Sequence, residues 1–503
     1  MLYQRLLLGF ALLVPVFGNP AGDQQCLSSR YEHKTRLFVL TDMSNEPDDQ
    51  MSFVRLLTYA NEIDIRGIAA TTSTWLRNKT DPETIREVIG GYGEVLDNLN
   101  ANVPNDASYP PAHELLSKVS MGHAVYGLAS LKLPLSGAAE ALLKAADDAK
   151  AEDPLCVSVW GGAAVLAEAL NHVSKTREKE AIELFVSKLR VYSISDQDDA
   201  GAWIRTNYPE LFMVVSLHGF NEYTRATWNG ISGEEYRHFD KGGPETSLVS
   251  NAWLEKNIRI GALGAHYLNW TFIMEGDTPA FLTLIRNGLG DVEHPDWGSW
   301  GGRYTLADAS GNHQVYADCT DYVQGANGEA FISSFATIWR WRQDYQYDFA
   351  ARMQWTINSD YSKNNHQPVA VVNGTCGPSA LKLDYVKGAE VVLDASNSWD
   401  PDGDGLSFEW FHYREAGTRG LEGFNIPLIS QDVKIAKLNE QGSIVSLDVA
   451  KSSKPLHIIL AIRDDHDMAL VTYRRIILSA KDPQNFSIRA LGEDFQEMEY
   501  YRG

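Results

Sequence analysis

Between Arg36 and about Tyr361, short apolar runs of β type alternate with stretches of helical periodicity, and this alternation constrains the fold more than any other feature. A strand followed by a helix that returns to a neighbouring strand builds a mostly parallel sheet with helices packed on it. Strands are expected at 36–41, 63–72, 155–160, 188–194 and 211–216, and helices at 50–61, 82–99, 137–151, 163–174, 200–208 and 330–354. Within 50–61, Phe53, Val54, Leu57 and Ala60 recur at helical spacing, so one face is buried. Beyond Asn364 the helical period stops, and short β-type runs at 389–393, 407–411, 456–462 and 472–478 predict a separate β-sandwich. The chain of 503 residues is too long for one ordinary core. We therefore expect an open α/β unit over 30–363 and a sandwich over 379–480, joined by an exposed connector at 364–378 that holds Pro368, Gly374, Gly377 and Pro378.

Charge and the first residues bound the partners and the compartment. With 66 acidic against 44 basic residues the net charge is −22, which repels phosphate backbones and argues against nucleic acid. Arg5 precedes an apolar run over 6–17, with small residues near Gly18, the pattern of a secretory signal peptide at 1–18. That run is shorter than the ~20 residues that cross a bilayer, so no membrane span is expected and the protein is read as secreted and extracellular. Sequons at Asn78, Asn269, Asn373 and Asn485 fit an N-glycosylated product. Of the four cysteines, Cys156 sits in an apolar run and reads as a buried free thiol, and Cys319 with Cys376 is the expected disulfide. The segment 493–503 reads as a loose acidic tail.

The densest group of chemically capable residues is Thr41-Asp42-Met43-Ser44-Asn45-Glu46-Pro47-Asp48-Asp49, between the first strand and the first helix. The carboxyl ends of strands are where open parallel sheets bind ligands. Carboxylates gathered there repel one another unless a cation intervenes, and Ca²⁺, a hard ion taking six to eight oxygens, suits them. A helix start favoured by the dipole accounts for Asp48 or Asp49 but not for all four acids. A second acidic run, Asp196-Gln197-Asp198-Asp199, also precedes a helix: a cap explains one Asp, and Gln197 and Asp198 are taken as ligand-facing, with Trp203 as a stacking surface. In the glycine-rich stretch 296–304, Trp297, Trp300 and Arg303 could present rings and a guanidinium to a sugar, with core packing the competing reading. In the sandwich, the stretch 394–405, ending Asp400-Pro401-Asp402-Gly403-Asp404-Gly405, resembles a loop of PKD- and cadherin-like domains and mimics the start of an EF-hand, but position twelve from Asp400 is Phe411, which favours a tight Asx/Gly turn over a calcium site.

From Thr41 onward the stretch 40–49 resembles the Asp-Thr-Asp-Ile-Gly-Asn-Asp-x-Asp-Asp motif of the nucleoside hydrolase superfamily, with Glu46 for an Asp. The likeness is closer to a secreted branch of cellulose-binding proteins with a nucleoside hydrolase-like domain and an Ig-like C-terminal domain, through segments 45–57, 160–170, 193–205 and 297–304. The resemblance implies a calcium site in which Asp42 is ligand and general base, Asp49 and Asp277 are ligands, and Ala164 donates a backbone carbonyl. It also implies that Asp48 meets sugar hydroxyls and water, with Asn45 and Glu46 beside it in the substrate site. Two positions depart from the family: Leu40 replaces its first Asp, and Gly276 stands where many members place a proton-donating His. The expected function is hydrolysis of N-glycosidic or related glycosyl bonds. The alternative is a non-catalytic carbohydrate (cellulose)-binding protein that keeps the metal site.

Overall fold

The computed structural model describes residues 25–308, 310–386, 390–417, 433–449 and 455–480. The expected signal peptide at 1–18, Asn485, the expected tail at 493–503 and the start of the expected strand at 389–393 lie outside the described residues. The first six strands are β1 (Thr35–Thr41), β2 (Ile63–Ala70), β3 (Val119–Met121), β4 (Leu155–Val159), β5 (Leu189–Ser195) and β6 (Phe212–Ser216). With β7 (Tyr304–Leu306) and β8 (Val315–Asp318) they form an eight-stranded sheet of order β3-β2-β1-β4-β5-β6-β8-β7. All pairs are parallel except β7 with β8. The order reverses between β1 and β4, and a crevice opens at such a switch point.

The longer helices are α1 (Pro47–Leu57), α2 (Pro82–Ala101), α3 (Gly137–Asp147), α4 (Ala164–Thr176), α5 (Lys179–Ser187), α6 (Ala200–Asn207) and α7 (Arg342–Ile357). Local chemistry sets their starts. Pro47 opens α1 with Asp48 and Asp49 in its first turn, where the dipole favours negative charge. Asp81 caps α2 by accepting the Thr84 amide at 3.2 Å, and Ser136 caps α3 through the Ala139 amide at 3.2 Å. The helix expected over 330–354 is corrected at its start: β9 (Asp321–Gln324) and β10 (Ala330–Ser333) form an antiparallel hairpin, and the long helix begins only at Arg342.

The C-terminal unit is a β-sandwich. One sheet has the order β11-β17-β16-β13 and the other β12-β15-β14, with strands β11 (Leu381–Tyr385), β12 (Val391–Asp394), β13 (Ser407–His412), β14 (Lys434–Lys437), β15 (Ile444–Asp448), β16 (Leu456–Arg463) and β17 (Val471–Ala480). It is not packed loosely on the α/β unit. Tyr413, Ile459, Val471 and Tyr473 belong to the same hydrophobic cluster as Trp300, Tyr345 and Leu289. Asp344 on α7 accepts two hydrogen bonds from Arg463, at 3.2 and 3.0 Å, and one from the Tyr473 hydroxyl. Arg475 is buried and donates to the carbonyls of Leu289, Trp297 and Gly298.

The exposed connector is therefore a correction. Asn364, Asn365, His366 and Gln367 are buried because their polar groups bond to Asn102, Asp464, Asp402 and Asp348. The disulfide is a second correction: Cys26 pairs with Cys376, and both Cys156 and Cys319 are free, Cys156 being buried as expected. Asn78, Asn269 and Asn373 are exposed. Among the described residues, no helix is long and apolar enough to cross a membrane.

Candidate functional site

Asp42 follows directly on β1, Trp160 and Gly161 follow on β4, and α1 enters between them, so the residues after two adjacent strands meet at the switch point. Between Asp42 and α1, Ser44 has φ 74°, in the left-handed region that favours glycine and asparagine. Gly161 lies against Asp42: a Cβ there would come within 2.6 Å of Asp42 Oδ1. The cluster is completed from far along the chain by Asp277. One carboxylate oxygen from each of Asp48, Asp49 and Asp277 lies within 4.8 Å of the others.

The supports are specific. Asp42 accepts a hydrogen bond from the Ser73 hydroxyl, and Asp49 accepts one from Thr41. The Asp277 loop is fixed from behind by buried Glu275, which receives Arg55, the Tyr267 hydroxyl and, at 2.8 Å, the Thr278 hydroxyl. Arg55 in turn donates to Gln346 and to the Tyr345 carbonyl of α7.

Burial, and then mutual repulsion, raises the protonation tendency of these acids. The Asp42 carboxyl is pushed up to about 6, chiefly by burial, and Asp48 to about 7 by burial and the neighbouring Glu46 and Asp42. Asp49 and Asp277 are held well above the usual carboxylate range for the same reasons. Asp277 Oδ2 is buried with no hydrogen-bond partner among the described residues. A buried, unsatisfied carboxylate oxygen facing two more carboxylates fits a hard cation, and the donor set is all oxygen.

These acids floor a cavity of about 300 Å³ that Asn45, Glu46 and Gln197 also line. Its walls are aromatic. Trp75 and Phe220 lie 5.7 Å apart between ring centroids, Tyr223 stands edge-on to Trp228 at 5.5 Å, and Tyr236 meets Phe272 at 5.2 Å. Trp75, Phe220, Tyr236 and Phe272 are between 45% and 54% exposed, so their faces are available to a ligand. None of these four belongs to the expected site; they sit in separate segments that share no local motif, and only their unusual exposure as large apolar groups marks them.

Six of the expected residues lie elsewhere. Asp198 is buried and accepts the amides of Ala164 at 3.1 Å and Ala200 at 2.9 Å, so it pins two helix starts instead of facing a ligand. Ala164 opens α4, and a first-turn carbonyl is committed to that helix's own ladder. Trp300 is fully buried with its indole N–H 3.3 Å from the Tyr473 hydroxyl, and Trp297 stacks on His294 beneath Arg475. Arg303 is buried and donates to Asp321 at 2.7 Å. All three serve the junction with the sandwich. Trp203 packs against Tyr208, outside the cavity lining.

Gly276 is close-packed. A Cβ at this position would lie 2.7 Å from Asp48 Oδ2 and 2.9 Å from the Trp228 ring, so Trp228 and Asp48 fill the space a larger side chain would need.

Residues 36–304 match the family described as cellulose-binding Sde182, nucleoside hydrolase-like domain, and residues 390–480 match the cellulose-binding protein Sde0182 C-terminal domain. A solved nucleoside hydrolase-related hypothetical protein from Saccharophagus degradans, described as associated with carbohydrate metabolism, is 30% identical, covers 89% of this chain and 100% of its own, and superposes with a TM-score of 0.71. The effector protein XopQ, solved with adenosine diphosphate ribose, is 12% identical over 67% of this chain and 98% of its own, at a TM-score of 0.30 that supports no comparison of sites. No curated protein matches. The chain belongs to the cellulose-binding Sde182 family, with its nucleoside hydrolase-like domain followed by the family's C-terminal domain.

Proposed function

We propose that this protein is a secreted, calcium-containing hydrolase of N-glycosidic or related glycosyl bonds in carbohydrate ligands, centred on Asp42, Asp48, Asp49 and Asp277. The observation that carries the reading is the unpartnered Asp277 Oδ2, buried on the cavity floor against Asp48 and Asp49. Family membership supports a carbohydrate ligand, and the exposed rings of Trp75, Phe220, Tyr236 and Phe272 are suited to pack on sugar C–H faces. The apolar start, three exposed sequons and the Cys26–Cys376 disulfide support secretion and glycosylation.

Asp42, Asp48, Asp49 and Asp277 would hold the ion. When bound, Ca²⁺ would neutralise the cluster and polarise water and sugar hydroxyls. Asp42 is oriented by Ser73 and, ionised in the cation-bound cluster, would take a proton from an attacking water as an oxocarbenium-like transition state develops. Asp48 accepts a hydroxyl of the sugar, and Asn45 and Glu46 at the cavity edge add polar contacts. The test is Asp42→Asn across nucleosides, glycosylamines and plant-wall oligosaccharides with Ca²⁺ present. Turnover should fall at least ~10²-fold, the lower range for general-base catalysis, with ligand affinity changing much less. Turnover that survives the substitution removes Asp42 as the base.

One observation favours a second reading, binding without turnover: the close packing at Gly276 excludes a proton-donating His from that position. Equal affinity in wild type and Asp42→Asn, with no turnover in either across the panel, would establish it.

A further inference from the structure

A second group of carboxylates lies in the sandwich, remote in sequence from the cavity. Asp400 Oδ1 accepts the backbone amides of Asp402 at 2.8 Å and Asp404 at 3.3 Å, and Gly403, at φ 87°, turns the chain between them. The loop so formed brings one carboxylate oxygen from each of Asp400, Asp402 and Asp404 within 4.8 Å of the others. Asp400 is only 9% exposed, and its Oδ2 has no hydrogen-bond partner among the described residues. This largely buried oxygen, with no donor supplied and two more carboxylates close by, is unfavourable; it is less enclosed than the arrangement at Asp277 but open to the same remedy.

The loop sits where three segments cross. Asp402 accepts the His366 amide at 2.7 Å and faces that ring's Nδ1 at 2.9 Å, which ties the loop to the connector. Asp464, in the turn from β16 to β17, accepts the Asn365 side-chain amide at 3.0 Å, and Asp465 accepts the Gly405 amide at 3.0 Å. We propose that Asp400, Asp402 and Asp404 form a second cation site that takes Ca²⁺ and clamps the connector to the sandwich. The carboxylate donors are hard, and waters would complete the shell that a six- to eight-coordinate ion needs. Position twelve of the loop, Phe411, lies in β13 paired with Ile459 and supplies no bidentate carboxylate, so affinity should resemble that of extracellular modules, Kd ~10⁻⁴–10⁻³ M.

The test counts Ca²⁺ bound to the full chain by equilibrium dialysis at about 5 mM free ion, above that range. Asp404→Asn is the safer variant, because the loop uses the Asp404 backbone amide; Asp400→Asn is the more severe one. Each should bind one equivalent fewer than wild type, and Asp277→Asn should lose a different equivalent, so failure of the cavity site and failure of this one are separable. Ca²⁺ should also slow proteolysis within 364–378 in wild type but not in Asp404→Asn. Unchanged stoichiometry in folded Asp404→Asn overturns the proposal, and equal retention of Mg²⁺ at the loop overturns its assignment to Ca²⁺.

Discussion

Lowering the pH should weaken Ca²⁺ binding at the cavity floor by a calculable amount. A cation needs its carboxylates ionised, so any proton they hold in the metal-free protein must leave on binding. The Asp48 carboxyl is pushed up to about 7 and Asp42 to about 6. At pH 6 these two alone would release ~1.4 protons, ~0.9 from Asp48 and ~0.5 from Asp42. Between pH 5.5 and 7.5 Asp48 and Asp42, titrating as a pair, should raise affinity on the order of 10- to 100-fold, and Asp49 and Asp277 add to it. The same shifts fix the stability of chelated protein. Folded-state values raised above the unfolded ones favour folding at low pH, and that advantage is lost as pH rises through about 6 to 7, so calcium should protect most above neutrality. Isothermal titration in buffers of different ionisation enthalpy, with Asp404→Asn to silence the sandwich loop, measures both affinity and protons released. Affinity constant within threefold over that interval, or pH dependence unaltered in Asp48→Asn, would refute the placement of these carboxylates on one ion.

Three further outcomes follow from the geometry. Asp344→Ala leaves the Tyr473 hydroxyl and Arg463 without their partner; because the Arg463 side chain is 26% exposed and keeps Glu409 at 2.8 Å, the loss should be about 2–3 kcal/mol, below the 3–5 of a fully buried pair, read from urea midpoints. Trp75→Ala and Phe272→Ala should each weaken oligosaccharide binding by about 0.5–1.5 kcal/mol, roughly 2- to 12-fold, whereas Trp297→Phe should leave it unchanged; the reverse pattern would return the ligand to the 296–304 loop. His457 is held down to about 2 by burial and by Arg475, which donates to its Nδ1 at 3.0 Å. A depressed folded-state value contributes stability above the unfolded pKa of ~6.5 that is lost at up to ~1.4 kcal/mol per unit as pH falls below it, so His457→Gln should flatten the acid limb of the stability curve.

Legibility followed distance along the chain. Asp42, Asp48 and Asp49 fall within eight residues of one another after an apolar run, so their shared chemistry can be read locally. Asp277 was reachable only through family resemblance, because the contact that recruits it is tertiary. The aromatic walls are not readable, since Trp75, Phe220, Tyr236 and Phe272 come from segments far apart in the chain and nothing local distinguishes an exposed ring from a buried one. The converse error occurred at Trp297, Trp300 and Arg303, whose glycine-rich setting suggests a ligand loop but is covered by Tyr413, Tyr473 and Arg475. Polarity misled in the same way at Asn364–Gln367. These residues are buried with their hydrogen bonds met across the junction, a condition that composition cannot report.

The helix that sequence polarity describes least well connects the two units to the site. α7 presents Asp344 to Arg463 and Tyr473 of the sandwich, and two residues later Gln346 receives Arg55, which holds Glu275 behind the Asp277 loop. The links are hydrogen bonds and ion pairs, buried except for the part-exposed Arg463, but contiguity alone does not establish coupling. If α7 sets the position of Asp277, Asp344→Ala must lower Ca²⁺ affinity at the cavity as well as stability, and Tyr473→Phe must do so more weakly because it removes one of three hydrogen bonds to Asp344. Calcium titrations on folded protein at fixed pH, well below each variant's melting range, separate the two effects. A threefold or greater loss in Asp344→Ala, with a smaller loss in Tyr473→Phe, would make the sandwich part of the site's support. Wild-type affinity in both variants would leave it a cover for Trp300 and its neighbours, with the Asp277 loop held by Glu275 and Arg55 alone.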